Sequence, residues 1–101
     1  MKMFLPLFFA LAAAAAPGTY TGWISDSQCG AGNANATAES RDCAERCLKN
    51  GAEPVLVTDK DQKVIKLAGK QNAAAHLKYK VKVTGELKGD TLTVTKIEKA
   101  E

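Results

Sequence analysis

Three cysteines and one histidine are the residues of this 101-residue chain whose types and positions could do chemistry: Cys29, Cys43, Cys47 and His76. Three thiolates and an imidazole make a tetrahedral donor set for Zn²⁺, and soft thiolates would also suit Cu(I). Cys43 and Cys47 stand four apart, so on a helix both thiols leave one face and can serve one ion. The chain lacks the C-x₂-C pair of common zinc sites, and His76 is distant in sequence. The competing chemistry is a disulfide from Cys29 to Cys43 or to Cys47. A Cys43–Cys47 bridge is disfavoured, because side chains four apart on a regular helix run nearly parallel. Closing a loop of about 15 to 19 residues is worth ~3 kcal/mol in the chain-entropy treatment. An odd number of cysteines leaves a thiol over. That thiol is either an inert small hydrophobe or a reactive group whose pKa is lowered by Arg41 or Arg46. We expect the disulfide ahead of the metal site and no resident cofactor, with Zn or Cu as the alternative.

Catalytic patterns are sparse. The C-x-x-C of oxidoreductases and the C-x-x-C-H of haem attachment are absent. Asp26 lies three before Cys29, but a Cys29–His76–Asp26 nucleophilic set has no motif beside it to stabilise an oxyanion. Asp59 and Asp61 flank a hairpin, where carboxylates are ordinarily turn formers. We therefore expect no catalytic residue, and a binding or accessory protein rather than an enzyme.

A second feature is charge asymmetry. Residues 60–101 hold ten Lys against five acids, whereas residues 16–59 hold three basic residues against six acids. Lys78, Lys80 and Lys82 alternate with Tyr79, Val81 and Val83, which presents a basic outer strand face. Such a face could follow a polyanion, so a polyanion or a protein is the partner class left open. The ordinary reading is a solvated strand face.

The elements that must position these groups come from a core-poor chain. Both Met and all three Phe lie in the first nine residues, which inflates the 46% hydrophobic content. Lys2, the apolar run Phe4–Leu11 and the small residues Ala12–Ala16 form the three-part pattern of a secretory signal. The apolar stretch is too short for a mature membrane span. We expect residues 1–16 to be a signal peptide and 17–101 a single domain, exported to the periplasm or outside the cell, with no stable membrane insertion after cleavage. Beyond residue 16 the large aliphatics are six Leu, six Val and three Ile. Such a thin core excludes a multidomain enzyme and favours a small closed sheet with covalent or metal help.

Thr19–Ile24 reads as a first strand, with Gly22 at a bulge or a close backbone approach. Ser25–Asn35 is a polar loop. Thr37–Lys49 reads as a helix capped by Thr37 or Ser40 and stopped by Asn50-Gly51. Pro54–Thr58 and Lys63–Leu67 form a hairpin, and Asn72–Leu77 a short helix with Asn72 as a candidate cap. Lys78–Leu87 is a half-buried strand, followed by a three-residue loop at Lys88-Gly89-Asp90. Leu92 and Val94 carry the core face of the last strand. Ile97 falls out of phase with them, which predicts a bulge or a change of face. The expected fold is mainly β: a five-stranded OB-like barrel, with a short helix before the fourth strand and a Cys-bearing helix after the first. A β-sandwich or SH3-like barrel is the alternative.

S-D-S-Q-C-G (Ser25–Gly30), C-A-E-R-C (Cys43–Cys47), V-L-V-T-D (Val55–Asp59), His76 and the segment Lys80–Val94 together resemble a family of small exported bacterial proteins of unknown function. The resemblance covers nearly the whole expected mature chain. It implies export and an OB-like barrel, and it carries no activity.

Overall fold

The computed structural model describes residues 17–69 and 73–100. The expected signal segment lies outside the described residues, and so does Asn72. The rest is mainly β, with strands β1 (Gly18–Asp26), β2 (Pro54–Thr58), β3 (Val64–Ala68), β4 (Val81–Lys88) and β5 (Thr91–Lys99). One α-helix, α1 (Ala38–Lys49), lies between β1 and β2, and short 3₁₀ turns cover Gly30–Asn33 and Ala73–His76. The strands pair in the order β1-β2-β3-β5-β4, and β4 returns to β1, so no strand is left with a free edge. Every ladder is antiparallel except β3 with β5.

Closing so small a ring of strands requires close backbone approaches, and glycine supplies them. Gly22 sits opposite Thr58 on one side and Val81 on the other. A Cβ there would collide with the Val57 carbonyl, so the close approach expected at this position is present. Gly85 faces the Thr93 carbonyl in the same way, beside the register shift between Thr84 and Gly85.

That shift explains Ile97. Thr84 pairs with Lys96 and Gly85 with Val94, which leaves Thr95 as the extra residue of a bulge. The Thr95 hydroxyl donates to the Thr84 carbonyl at 3.0 Å and pins the kink. Leu92 and Val94 therefore point inward before it, and Ile97 packs on the core after it. The core they join is aliphatic: Ile24, Leu56, Ile65, Val81 and Val83, with Leu77 from the segment before β4.

Several elements differ from the sequence expectations, and β1 runs on through Ser25 and Asp26, which were expected in the polar loop. The last hairpin closes through Gly89-Asp90 alone, since Lys88 and Thr91 already pair. Gly89 takes φ +64°, as a two-residue turn of this kind requires of its first position. The third strand is displaced by one residue, starting at Val64 rather than Lys63. The fourth begins at Val81, so Lys78 and Tyr79 stand in the preceding turn. The alternation of Lys and apolar residues runs upstream of the strand because Tyr79, although off the ladder, still packs on the core.

The α1 boundaries follow their caps. The Thr37 hydroxyl accepts the Ser40 amide at 3.2 Å. At the other end Gly51 has φ +104°, the Ala52 amide reaches the Cys47 carbonyl at 3.0 Å and the Gly51 amide the Leu48 carbonyl at 3.3 Å. This paired closure is the Schellman arrangement. Arg46 and Lys49 in the last turn suit the negative end of the helix dipole. Among the described residues no helix is long and apolar enough to cross a membrane.

Candidate functional site: a three-thiol cluster

The end of β1, the loop after it and α1 meet around a buried carboxylate. Asp26 is fully buried, and its two oxygens are engaged. One accepts the amides of Gln28 at 3.1 Å and Cys29 at 2.9 Å, and the other the Asn33 side-chain amide at 2.9 Å. A short polar residue followed by polar neighbours favours such side-chain-to-backbone turns. Burial pushes this carboxyl up, but the hydrogen bonds from Asn33, the Cys29 amide, the Cys47 thiol and the Gln28 amide outweigh it and hold Asp26 below its ordinary pKa.

A second buried polar side chain fixes the helix to the sheet. The Arg41 guanidinium donates to the Ile24 carbonyl at 3.0 Å, to the Leu77 carbonyl at 2.6 Å and to the Asn33 carbonyl. It lies 5.0 Å from the centre of the Trp23 ring. Arg41, Ala44 and Leu48 share one stripe of α1, so an arginine occupies a slot that an aliphatic would fill in an ordinary amphipathic helix. Burial lowers its pKa, and the Asp26 charge opposes that shift.

The three thiols gather beside this lock. Cys43 neighbours the Asn33 side chain, Cys47 and Cys29, each of which bears on its charge. Cys47 also meets Asp26, and its sulfur lies 3.8 Å from the Gln28 side-chain oxygen. Cys29 is exposed, Cys43 and Cys47 are half-buried, and none is in a disulfide.

The expected bridge from Cys29 to Cys43 or Cys47 is thus corrected. Its expected task, tying the loop to the helix, is performed by Asp26, Asn33 and Arg41 through hydrogen bonds. Arg41 also acts differently from expectation: it is the lock, and Arg46 is the cation whose charge bears on Cys43.

The environments separate the thiols. Hydrogen bonding from Asn33 favours the Cys43 thiolate, as do the Cys47 and Cys29 thiols and the Arg46 charge, and together they hold Cys43 below the ordinary thiol value despite desolvation. Desolvation, the Asp26 charge and Cys43 push Cys47 up to about 11. The Asp26 charge, then desolvation and Cys43, raise Cys29. The surroundings thus favour the charged form at Cys43 and disfavour it at Cys47 and Cys29.

His76 does not join them through any hydrogen bond. Its Nδ1 lies 3.0 Å from the Tyr79 hydroxyl, with the rings edge to face. Among the described residues no group of three or more His, Cys, Asp or Glu side chains is arranged to hold a metal ion. The expected ligand set Cys29, Cys43, Cys47 and His76 is therefore not assembled as a metal site among the described residues. The nucleophilic combination of Cys29 with His76 and Asp26 is not assembled either, since Asp26 is occupied by amides and His76 by Tyr79.

The basic residues are partly neutralised. Lys80 pairs with Asp59 at 3.3 Å and Lys82 with Glu98 at 3.8 Å, while Lys78 is exposed in the turn before β4. A cavity of about 330 Å³ opens beside the β2–β3 turn, walled in part by Tyr20, Thr21, Asp59, Asp61 and Leu87. Asp61 serves the turn, as expected, by taking the Thr58 hydroxyl, whereas the Asp59 carboxylate reaches out of it to the Thr21 hydroxyl at 3.2 Å and to Lys80.

Asn33 is the site residue that sequence reasoning missed, and with it the role of Arg41 as the lock. The legible signal for Arg41 was its phase with Ala44 and Leu48. For Asn33 there was none, because a polar residue in a polar loop carries no periodicity. No family model, curated relative or solved structure matches the chain.

Proposed function

We propose that the chain is an exported, non-enzymatic binding or accessory module: an OB-like barrel holding a thiol-bearing insert between its first two strands. The strand order β1-β2-β3-β5-β4, the parallel β3–β5 ladder and the short helical turn before β4 support the OB-like reading. The resemblance to small exported bacterial proteins belongs to the same proposal. The observation that carries the functional part is the placing of Cys29, Cys43 and Cys47, none in a disulfide, on and beside an insert locked to the sheet by Arg41. An insert fixed by other residues leaves its thiols available for a thiophilic ligand.

A trivalent arsenical, which needs closely spaced thiols, is a suitable probe. Titration calorimetry of the reduced protein should give one equivalent of phenylarsine oxide bound, retained when Lys78, Lys80 and Lys82 become Gln. The Cys29→Ser/Cys43→Ser/Cys47→Ser variant should lose it yet unfold in urea within ~1 kcal/mol of the parent. Unfolding of that variant would make the thiols structural and sink the reading. Salt-sensitive heparin binding lost in the Lys→Gln variant would move the working surface to the basic edge. One equivalent of Zn or Cu in the purified protein, abolished by His76→Ala, would replace the reading with a metal site.

A further inference from the structure

We propose that the cavity at the end of the strand ring remote from the thiols is a binding site for a neutral sugar ring. The inference goes beyond the thiol reading and uses none of its residues. One end of the ring is stoppered by Ala73 and Leu77, both buried in the core. The other end is left open by the pairing itself. The β1–β2 ladder stops at Gly22 and Thr58, so Thr19, Tyr20 and Thr21 run on beside β4 alone. On the far side Ile65 precedes the β3–β5 ladder, which begins at Lys66. The β2–β3 turn borders this gap, and the cavity of about 330 Å³ occupies it. That volume lies at the low end of the range of small-molecule sites, and the mouth of a closed sheet is one of their usual places.

The walls divide into an apolar floor and a polar rim. Ile65 belongs to the core, and Tyr20 and Leu87 pack on it, so the cavity reaches down to the core's own surface. Gly18 gives the Tyr20 side chain its place, since a Cβ there would come within 2.8 Å of the tyrosine hydroxyl. Asp59, Lys60, Asp61 and Lys63 stand around the rim, with Thr19 and Thr21 beside them. Two carboxylates and two ammonium groups line one mouth, so an ion of either sign meets its own charge there and gains little. Part of the carboxylate capacity is already taken, by Lys80 and Thr21 at Asp59 and by Thr58 at Asp61. A neutral ligand dense in hydroxyls suits such a rim, because each hydroxyl can donate to a carboxylate and accept from an ammonium. A pyranose joins those hydroxyls to a face of C–H groups that can lie on the Tyr20 ring.

The test is a titration of the isotope-labelled protein, followed through its backbone amide resonances. The probes are methyl β-glucopyranoside, methyl β-galactopyranoside and methyl α-mannopyranoside. At least one should give saturable shifts confined to the amides of residues 18–21, 58–65 and 86–88. Binding should survive high salt, because a neutral ligand leaves little for salt to screen. The double variant Lys60→Ala/Asp61→Ala, at two exposed positions, should weaken it by about tenfold or more, as the loss of hydrogen bonds to charged groups predicts. Tyr20→Leu keeps the floor apolar but removes the ring, and should weaken it comparably. Lys49→Gln, in the last turn of α1, should bind as the parent does. The same spectra show whether each variant is folded, and the rim variant carries the test if Tyr20→Leu is not. No saturable shift from any of the three glycosides overturns the proposal, as does unchanged affinity in either folded variant. So does tighter seating of benzoate or benzylamine at the same amides, which would give the mouth to a charged ligand.

Discussion

The Arg41 guanidinium meets the Ile24 carbonyl oxygen at 3.0 Å, across 17 residues of chain, inside a region that excludes solvent. Through this contact a helix with few apolar residues is held to the sheet. The same side chain reaches the Leu77 carbonyl and so draws in the segment before β4. Replacing it with Met would leave carbonyl oxygens of Ile24, Asn33 and Leu77 without that donor. We expect Arg41→Met to cost about 3 kcal/mol in urea unfolding. Arg41→Lys should recover only part of this, since an ammonium cannot span the guanidinium's fork.

Asp26 links the lock to pH. Its carboxyl is held below the ordinary value of 3.8, so the folded protein favours the charged form. The resulting stability is present above the unfolded value and is lost as pH falls through the lower folded pKa. Stability against urea should therefore decline below about pH 4, and Asp26→Asn should flatten that acid limb. The same substitution removes a charge that raises both Cys29 and Cys47. Iodoacetamide labelling of those two thiols should then set in at lower pH than in the parent.

The two glycines at contrasting positions give opposite expectations. At Gly22 a Cβ would collide with backbone of the neighbouring strand, which cannot yield without breaking the β1–β2 ladder. Gly22→Ala should cost about 3 kcal/mol or prevent folding. At Gly32 a Cβ would meet nothing within 4 Å, and the backbone is not left-handed. Gly32→Ala should lie within about 0.5 kcal/mol of the parent, measured by the same denaturant titration.

Gln62 is the one non-glycine described residue with a left-handed backbone, at φ +55°. It closes the β2–β3 turn, where its amide reaches the Thr58 carbonyl at 3.0 Å. Left-handed geometry costs an L-residue roughly 1–2 kcal/mol, and a glycine there gives back part of the gain as unfolded-chain entropy. Gln62→Gly should raise stability by a few tenths to about 1 kcal/mol, and Gln62→Val should lower it. Paired thermal melts would show both signs.

The parts of the fold that were legible in the sequence are those with a periodic or punctuating signal. The break in phase between Val94 and Ile97 called for a bulge or a change of face, and Thr95 is the extra residue of a bulge. Thr37 and the Asn50-Gly51 pair bounded α1 because capping needs particular side chains and a left-handed glycine. What stayed hidden depends on long-range polar contacts. The expected export and the thin core argued for a bridge, and nothing local revealed that Asp26, Asn33 and Arg41 would hold the loop instead. His76 could be aligned with the thiols on paper, but its nearest polar partner is Tyr79, three residues on. Lys80 and Lys82 kept their places near β4, yet their carboxylate partners come from the β2–β3 turn and from β5. Those partners are legible only once the register is known.

The double pairing of β5 has a consequence for how the molecule comes into being. Thr91–Thr93 bind β3 and the whole strand binds β4, so one segment near the end of the described chain joins two edges at once. While the polypeptide emerges from a ribosome, one edge each of β3 and β4 must wait unpaired until residues 91–99 arrive. Local hairpins can form early, but the ring cannot, and its last step fixes contacts of large sequence separation. A chain arrested before Thr91 should therefore remain protease-sensitive and prone to edge-to-edge association. Extending it through Lys99 should bring protection in a single step.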